Sequence, residues 1–143
     1  MSHHLTVYHG SPEAVEAFRN TTTSFTPSFS KAVWYARRLA TLRPVVYKCR
    51  LFVEDFDLRR PSCKQHYAQM RRALPNLRLP QLDADGFLQS TGLPTASYLD
   101  SLVRVMEETH SAYNSLWIDD GAETLVVLKP AENCILLTED FLK

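Results

Sequence analysis

Short runs of β-branched and aromatic residues occur towards both ends of this chain, and segments with helical signals lie between them. Such runs predict strands, and they stand at 5–10, 45–53, 115–118, 123–129 and 134–137. Strands and helices do not alternate regularly, and neither GxGxxG nor GxxxxGK(S/T) occurs, so a Rossmann or P-loop nucleotide site has no support. The order of elements predicts an α+β fold with a mainly antiparallel sheet.

Four segments carry capping signals or the apolar spacing of an amphipathic helix, and they lie at 11–18, 31–42, 63–74 and 96–113. The first begins with Ser11 as a candidate N-cap and continues with a proline at the first helical position. The stretch 75–97 is rich in proline, glycine and serine, which predicts a loop.

Length and composition fit one domain over 1–143, because 45% of the 143 residues are hydrophobic and 22% are charged. No apolar run reaches the ~18 residues that a membrane-spanning helix needs, and the first residues lack secretory-leader features. We therefore expect a soluble, cytoplasmic protein with no membrane partner. The three cysteines, Cys49, Cys63 and Cys134, are widely spaced, which predicts free thiols rather than disulfides or a zinc knuckle.

Charge is distributed unevenly along the chain, although the formal net charge is +0. Residues 1–80 hold 13 Lys and Arg against 5 Asp and Glu, whereas residues 81–143 hold 3 against 11. If the two sets stay apart in space, the surface is dipolar and can orient an anionic substrate. If they interleave, that effect cancels, and the sequence leaves both arrangements open.

Two residues are candidates for chemistry. His9 ends the first predicted strand and precedes Gly10, whose backbone can approach a ligand closely. Glu123 opens a predicted central strand after an acidic turn, where a rigidly held carboxylate can stabilise an oxocarbenium-like transition state. The alternatives are a structural or surface histidine and an ordinary strand-edge carboxylate. HExxH and HxxxH spacings are absent, so no metal site is predicted.

The run YHGS at 8–11, the stretch SFTPSFSKAVWYA at 24–36 and Glu123 opening ETLVV together resemble the ADP-ribosyltransferase superfamily. The resemblance spans the chain. It is closer to the diphtheria-toxin and poly(ADP-ribose)-polymerase branch, with the small bacterial transferases, than to the arginine-specific branch, because Gly121 stands where an E-x-E pair has its other carboxylate. The fold it implies is a single domain with a split antiparallel β-sheet core and flanking helices.

The resemblance also implies residues that bind NAD+. His9 corresponds to the histidine that bonds the adenosine ribose, and the backbone of Gly10 to the group that bonds the nicotinamide amide. Ser11 follows them in the same run and is included in the site. The family serine of the helical segment corresponds to Ser30 or Ala32.

One position departs from the family pattern. The tyrosine that precedes the phenylalanine of the second strand is Ser24 here, next to Phe25. Phe25 or Tyr35, which corresponds to the tyrosine that stacks on nicotinamide, would then form the aromatic wall, or NAD+ binds in another pose. Arg37 and Arg38 are candidates for the pyrophosphate, because guanidinium groups match phosphate oxygens, and the alternative is a solvated helix face.

The activity implied is that of an NAD+-dependent ADP-ribosyltransferase. It would release nicotinamide and transfer ADP-ribose to a protein, nucleic acid or small-molecule acceptor, with His9 and Glu123 facing one cleft. Such a protein is expected to be a monomer, cytoplasmic or acting in a target cell's cytosol as a toxin or effector. An NAD+ glycohydrolase on the same fold and a non-catalytic module that binds nucleic acid or an acidic partner stay open.

The stretch 61–97 is the part of the chain expected to select the acceptor. Arg71, Arg72 and Arg78 lie in it, in a loop- and proline-rich context. Loops carried by a rigid scaffold commonly provide such contacts, so we expect acceptor binding or lid motion here rather than NAD+ chemistry.

Overall fold

The computed structural model describes residues 3–11, 23–38 and 44–142. Their strands are β1 (His3–Ser11), β2 (Thr23–Phe25), β3 (Val45–Val53), β4 (Asp55–Phe56), β5 (Ser115–Asp119), β6 (Glu123–Val127) and β7 (Cys134–Phe141). Their α-helices are α1 (Phe29–Arg38), α2 (Pro61–Ala73), α3 (Leu99–Glu108) and α4 (Pro130–Asn133), and 3₁₀ turns occupy Pro75–Leu77 and Ala96–Tyr98.

The strands form two sheets rather than one. The first has the order β1-β3-β7 and is antiparallel throughout. The second has the order β2-β6-β5-β4, and its pairs are antiparallel except for the short parallel pair of β4 with β5. The predicted α+β fold with mainly antiparallel strands is therefore confirmed, and β6 is a central strand as the sequence indicates.

A backbone bridge joins the two sheets, which also share a core. The Tyr8 N–H donates to the Thr26 carbonyl at 2.8 Å, and the Thr26 N–H donates back at 2.9 Å. One buried cluster takes side chains from both sheets and one from the loop before α3, and we call it the shared core: Val7, Phe25, Val45, Tyr47, Cys49, Leu51, Val53, Leu93, Trp117, Leu125 and Val127. A second cluster lies between the four-stranded sheet and helices α2 and α3.

Alternating burial in β3 follows the pattern of its residues. Tyr47, Cys49 and Leu51 are fully buried, whereas Lys48 and Arg50 between them point away from the core. Side chains of a strand alternate between its faces, so the alternating residues 47–51 bury one face, while Val46 on the other face packs against α1. The prediction for 45–53 is confirmed at both ends.

Several predicted boundaries are corrected. Helix α1 begins at 29 rather than 31, because the Ser28 Oγ accepts the Lys31 N–H at 3.2 Å and caps the helix. Helix α3 covers 99–108 rather than 96–113: a 3₁₀ turn precedes it, and His110 with φ 52° prevents its continuation. Strand β6 ends at 127 rather than 129, and β7 extends to 141 rather than 137.

The remaining predictions on elements have mixed outcomes. Helix α2 covers 61–73 against the predicted 63–74, with a proline in its first turn. The predicted helix at 11–18 and the predicted helical residues 39–42 lie outside the described residues, apart from Ser11, which ends β1. Cys49 and Cys63 are buried and Cys134 is half-buried, all three as free thiols. No helix of the described residues is long and apolar enough to cross a membrane.

Candidate functional site

A cavity of about 380 Å³ lies where the two sheets part. One side of it is formed by residues 8–10 of β1, residues 24 and 25 of β2, and Thr26 directly after β2. Helix α1 contributes Tyr35 and Arg38, and the β5–β6 hairpin contributes Asp120 and Thr124. The cavity therefore brings together segments that are more than one hundred residues apart in sequence.

His9 lies in the wall of this cavity and is held by backbone. Its Nδ1 is 2.8 Å from the Ser24 carbonyl, which can only accept, so Nδ1 carries the proton. Burial lowers the pKa of His9, and the hydrogen bond to Ser24 opposes that shift. The ring is therefore neutral near pH 7, and Nε2 is its acceptor nitrogen. Its centroid is 5.6 Å from that of the Phe25 ring.

Gly10 also lines the cavity, and helix packing explains why it has no side chain. A Cβ at this position would overlap with the Ala32 carbonyl and lie 2.9 Å from the Ala36 nitrogen, both in the backbone of α1. Only glycine allows the helix to approach the strand so closely. The predicted backbone contact of Gly10 with NAD+ stays a prediction beside this structural role.

The aromatic candidates occupy different layers. Phe25 belongs to the shared core, is 1% exposed, and still contributes to the cavity wall. Tyr35 projects from α1, and its hydroxyl donates to the Asp120 carbonyl at 3.3 Å, so it links the helix to the β5–β6 turn. Burial, reinforced by Asp120, raises the pKa of Tyr35. Of the two rings, that of Tyr35 is the more accessible, because Tyr35 is half-buried and Phe25 is almost fully buried.

The other predicted NAD+ residues are less close to the cavity. Ser11 is buried at the end of β1, and the exposed Ser30 has its Oγ 3.0 Å from that of Ser28 in the first turn of α1. Neither is among the described residues that line the cavity, and the same holds for Arg37. Arg38 does line it, because helical spacing places residue 38 on the same face as Tyr35.

Glu123 is the first residue of β6, directly before the cavity residue Thr124. It pairs with Asp119 across a hairpin whose turn is stiffened at two points. The Gly121 N–H donates to Asp119 Oδ1 at 3.0 Å, and Thr91 Oγ1 donates to Asp119 Oδ2 at 2.9 Å. The backbone that carries Glu123 is thus well fixed.

His9 and Glu123 leave their strands on sides that face the shared core. Residues two apart in a strand lie on one face, so His9 shares a face with Val7 and Glu123 shares one with Leu125. Val7 and Leu125 are both members of the shared core. The described residues that line the cavity include His9 and, on β6, Thr124, but not Glu123. A common cleft for both candidates stays a prediction.

An arginine that the sequence did not single out binds the Glu123 carboxylate. Arg59 Nη1 donates to Glu123 Oε1 at 2.7 Å, while Nε and Nη2 of the same guanidinium donate to the two oxygens of Asp57, each at 2.9 Å. Burial alone would raise the pKa of Asp57, but the hydrogen bonds and charge of Arg59 hold it below its ordinary value. Arg59 and Glu123 are 64 residues apart, and no short motif joins them.

Two further cavities lie beyond the opposite end of β5. One, of about 440 Å³, is lined by residues that include His66 and Tyr113, and the other, of about 750 Å³, includes His110 and Lys129. Neither includes His9 or the β5–β6 turn among the described residues. The described residues also contain no cluster of three side chains suited to hold a metal ion.

Comparisons with known proteins identify a similar fold. No protein-family model and no curated protein matches the chain. A solved structure titled "Crystal structure of an anti-CRISPR protein" superposes with a TM-score of 0.53 at 11% sequence identity, over 97% of this chain and 96% of that one. At this identity, the match shows that the two chains share a fold across nearly their whole lengths.

Proposed function

We propose that the chain is an NAD+-dependent ADP-ribosyltransferase. The observation that carries the proposal is the cavity between the parting sheets, with His9 in its wall and the strand that begins with Glu123 at its edge. Its volume of about 380 Å³ falls in the range of small-molecule sites. The order of the motifs that resemble the superfamily supports the same assignment.

The described residues suit the chemical groups of NAD+. His9 Nε2 is the acceptor for a ribose hydroxyl, and Tyr35 provides the ring face for the nicotinamide, because Phe25 is 1% exposed. Arg38, rather than Arg37, is the guanidinium at the cavity for the pyrophosphate. Glu123 is the anion assigned to the anomeric carbon.

The reaction needs charge stabilisation more than proton transfer. The bond from the anomeric carbon to the nicotinamide nitrogen breaks, and its electron pair leaves with nicotinamide. The acceptor then supplies an electron pair to that carbon and loses a proton. A fixed carboxylate lowers the barrier because positive charge develops on the ribose in the transition state.

Labelled NAD+ tests this proposal. The purified chain is incubated with a cell lysate and NAD+ labelled in its adenosine half, and released nicotinamide is measured in parallel. We expect label on a protein, nucleic acid or small molecule. Label only in free ADP-ribose would instead identify a glycohydrolase, and binding without nicotinamide release would contradict both enzyme assignments.

Glu123→Gln tests the assigned anion. It keeps the size of the side chain and removes its charge, so nicotinamide release should fall about 10²- to 10³-fold, roughly 3 to 4 kcal/mol, with little change in NAD+ binding. The Glu123 side chain is 42% exposed, so its ion pair contributes under about 1 kcal/mol to stability. Glu107→Gln, at an exposed position of α3, is the matched control. Unchanged release by folded Glu123→Gln protein would remove this residue from the mechanism.

A second candidate function is inhibition of a CRISPR effector by binding alone. The end-to-end match with the anti-CRISPR structure favours it, and it is a form of the non-catalytic binding module. Target-DNA binding by an effector complex is measured with the wild-type chain and with Glu123→Gln, each with and without NAD+. Inhibition that needs neither NAD+ nor Glu123 would support binding alone, and no inhibition would reject this candidate.

A further inference from the structure

Arg59 connects three segments at the edge of the shared core. Its backbone N–H and its Nε both donate to Asp57 Oδ1 at 2.9 Å, so the residue is anchored to its own loop before it reaches β6. Its guanidinium carbon lies 5.9 Å from the centroid of the Trp117 ring. From this position Nη1 meets Glu123 Oε1 at 2.7 Å.

The surrounding structure restricts where the Arg59 side chain can go. A Cβ on Gly92 would lie 3.2 Å from the Arg59 Cγ, so the loop before α3 packs directly against the arginine stem. Asp57 is 9% exposed, and its two carboxylate oxygens accept hydrogen bonds from Nε and Nη2 of the guanidinium. A two-point contact between planar groups fixes orientation as well as distance, unlike a single contact from lysine.

The charges of this cluster suit a carboxylate that faces a developing cation. Arg59 carries one positive charge between two carboxylates, so the three side chains together keep one negative charge. Arg59 takes Glu123 Oε1, and in the described part of the chain no hydrogen bond is seen at Oε2. Arg59 therefore orients the carboxylate without cancelling the charge of the group as a whole.

We propose that Arg59 is a positioning residue for Glu123: anchored by Asp57, it holds the carboxylate in the orientation that the glycosyl transfer requires. The inference rests on the proposed function. It assigns to Arg59 no contact with NAD+ or the acceptor, so the effect of Arg59 on the reaction passes through Glu123.

Nicotinamide release tests the inference. It is measured for three variants of the full chain, Arg59→Met, Arg59→Lys and Asp57→Asn. Misplacing a catalytic group by about 1 Å can cost about 100-fold in rate, so we expect kcat to fall by up to about 100-fold in Arg59→Met with KM nearly unchanged. The kcat of Arg59→Lys should lie between those of Arg59→Met and the wild type. Arg104→Met is the matched control, because Arg104 pairs only with Glu108 on the exposed face of α3 among the described residues.

The decisive comparison is made in the Glu123→Gln background. If Arg59 acts through Glu123, adding Arg59→Met there should lower kcat by less than about 2-fold, because coupled residues are not additive. Equal losses in both backgrounds, or wild-type kcat in folded Arg59→Met protein, would overturn the positioning role while leaving the transferase assignment intact. Absence of nicotinamide release by the wild type would overturn the proposed function, and the inference with it.

Discussion

Gly10 shows how one residue can look like a ligand contact and have a packing role. The backbone of α1 occupies the space that a Cβ would need. We predict that Gly10→Ala lowers the free energy of unfolding by about 1–3 kcal/mol, because the overlap is with backbone and cannot be relieved by a rotamer change. Urea unfolding checks this, with Thr6→Ala at an exposed position of the same strand as the control. Equal stability of the two variants would contradict the packing explanation.

His9 makes stability depend on pH. Its pKa lies below the ordinary value of 6.5, mainly through burial. Well above pH 6.5 both folded and unfolded chains hold a neutral ring, and His9 has no effect there. As the pH falls, the unfolded chain takes up the proton first, so stability is lost until the pH passes the lowered folded pKa.

The prediction from this titration concerns the acid side of the stability curve. Between about pH 7.5 and pH 5, His9→Gln should lose less stability than the wild type, since it removes a group that binds protons more readily in the unfolded chain. Unfolding midpoints measured across this range, with His4→Gln as an exposed control on β1, provide the comparison. Parallel curves for the wild type and His9→Gln would mean that the ring is not buried as described.

At the scale of elements, the sequence predicts what local periodicity determines. The alternation in β3 and the proline that follows α2, Pro75, gave bounds close to the observed ones. The two-residue strand β4 has no period to detect, and its pairing with β5 depends on residues 60 apart. The early end of α3 was missed because a left-handed residue outside glycine, His110, has no reliable signature.

The candidate site was predictable in part for the same reason. His9 and Gly10 stand at the end of a recognisable strand, and Glu123 opens another. The partner of Glu123 was not predictable from the sequence. Arg59 is one of two consecutive basic residues that follow a predicted strand, and nothing local distinguishes it from the other. Which of Arg37 and Arg38 lines the cavity is decided by their positions around the axis of α1. These positions depend on where α1 begins and on which of its faces packs against β1.

Helix α2 carries a prediction about the acceptor. Arg71 and Arg72 lie in its last turn rather than in a loop, and Arg71 Nε donates to the Leu79 carbonyl at 2.7 Å while Arg72 is exposed. We predict that Arg72→Glu reduces transfer to the acceptor and leaves NAD+ affinity unchanged, with Lys64→Glu as the control on the same helix. Arg71→Glu should also lower the free energy of unfolding by about 1 kcal/mol, because it removes the hydrogen bond from Arg71 to the Leu79 carbonyl. Equal losses of NAD+ affinity and transfer in Arg72→Glu would contradict the division between cavity and α2.

At the scale of the whole molecule, the shared core joins the two sheets. Val7 and Tyr47 come from the three-stranded sheet, and Phe25 and Leu125 come from the four-stranded one, yet all four belong to one buried cluster. Neither sheet can lose its inner face to water without exposing the other. The cavity between the sheets therefore lies over a continuous core, which keeps its walls in register.

The two tryptophans allow this coupling to be measured. Trp34 on α1 is 51% exposed, whereas Trp117 in β5 is 8% exposed and donates from Nε1 to Asp55 Oδ2 at 2.8 Å. In Trp34→Phe protein, fluorescence reports Trp117 in the four-stranded sheet alone, while far-ultraviolet circular dichroism reports all elements. Because one core serves both sheets, we predict that the two signals change with the same urea midpoint and slope, as in a two-state transition.

Hydrogen exchange of the Cys49 and Leu125 amides, one from each sheet, should then give equal opening free energies within about 1 kcal/mol. Separate midpoints, with β3 opening before β6, would show that the sheets are independent units and would contradict a single cooperative domain.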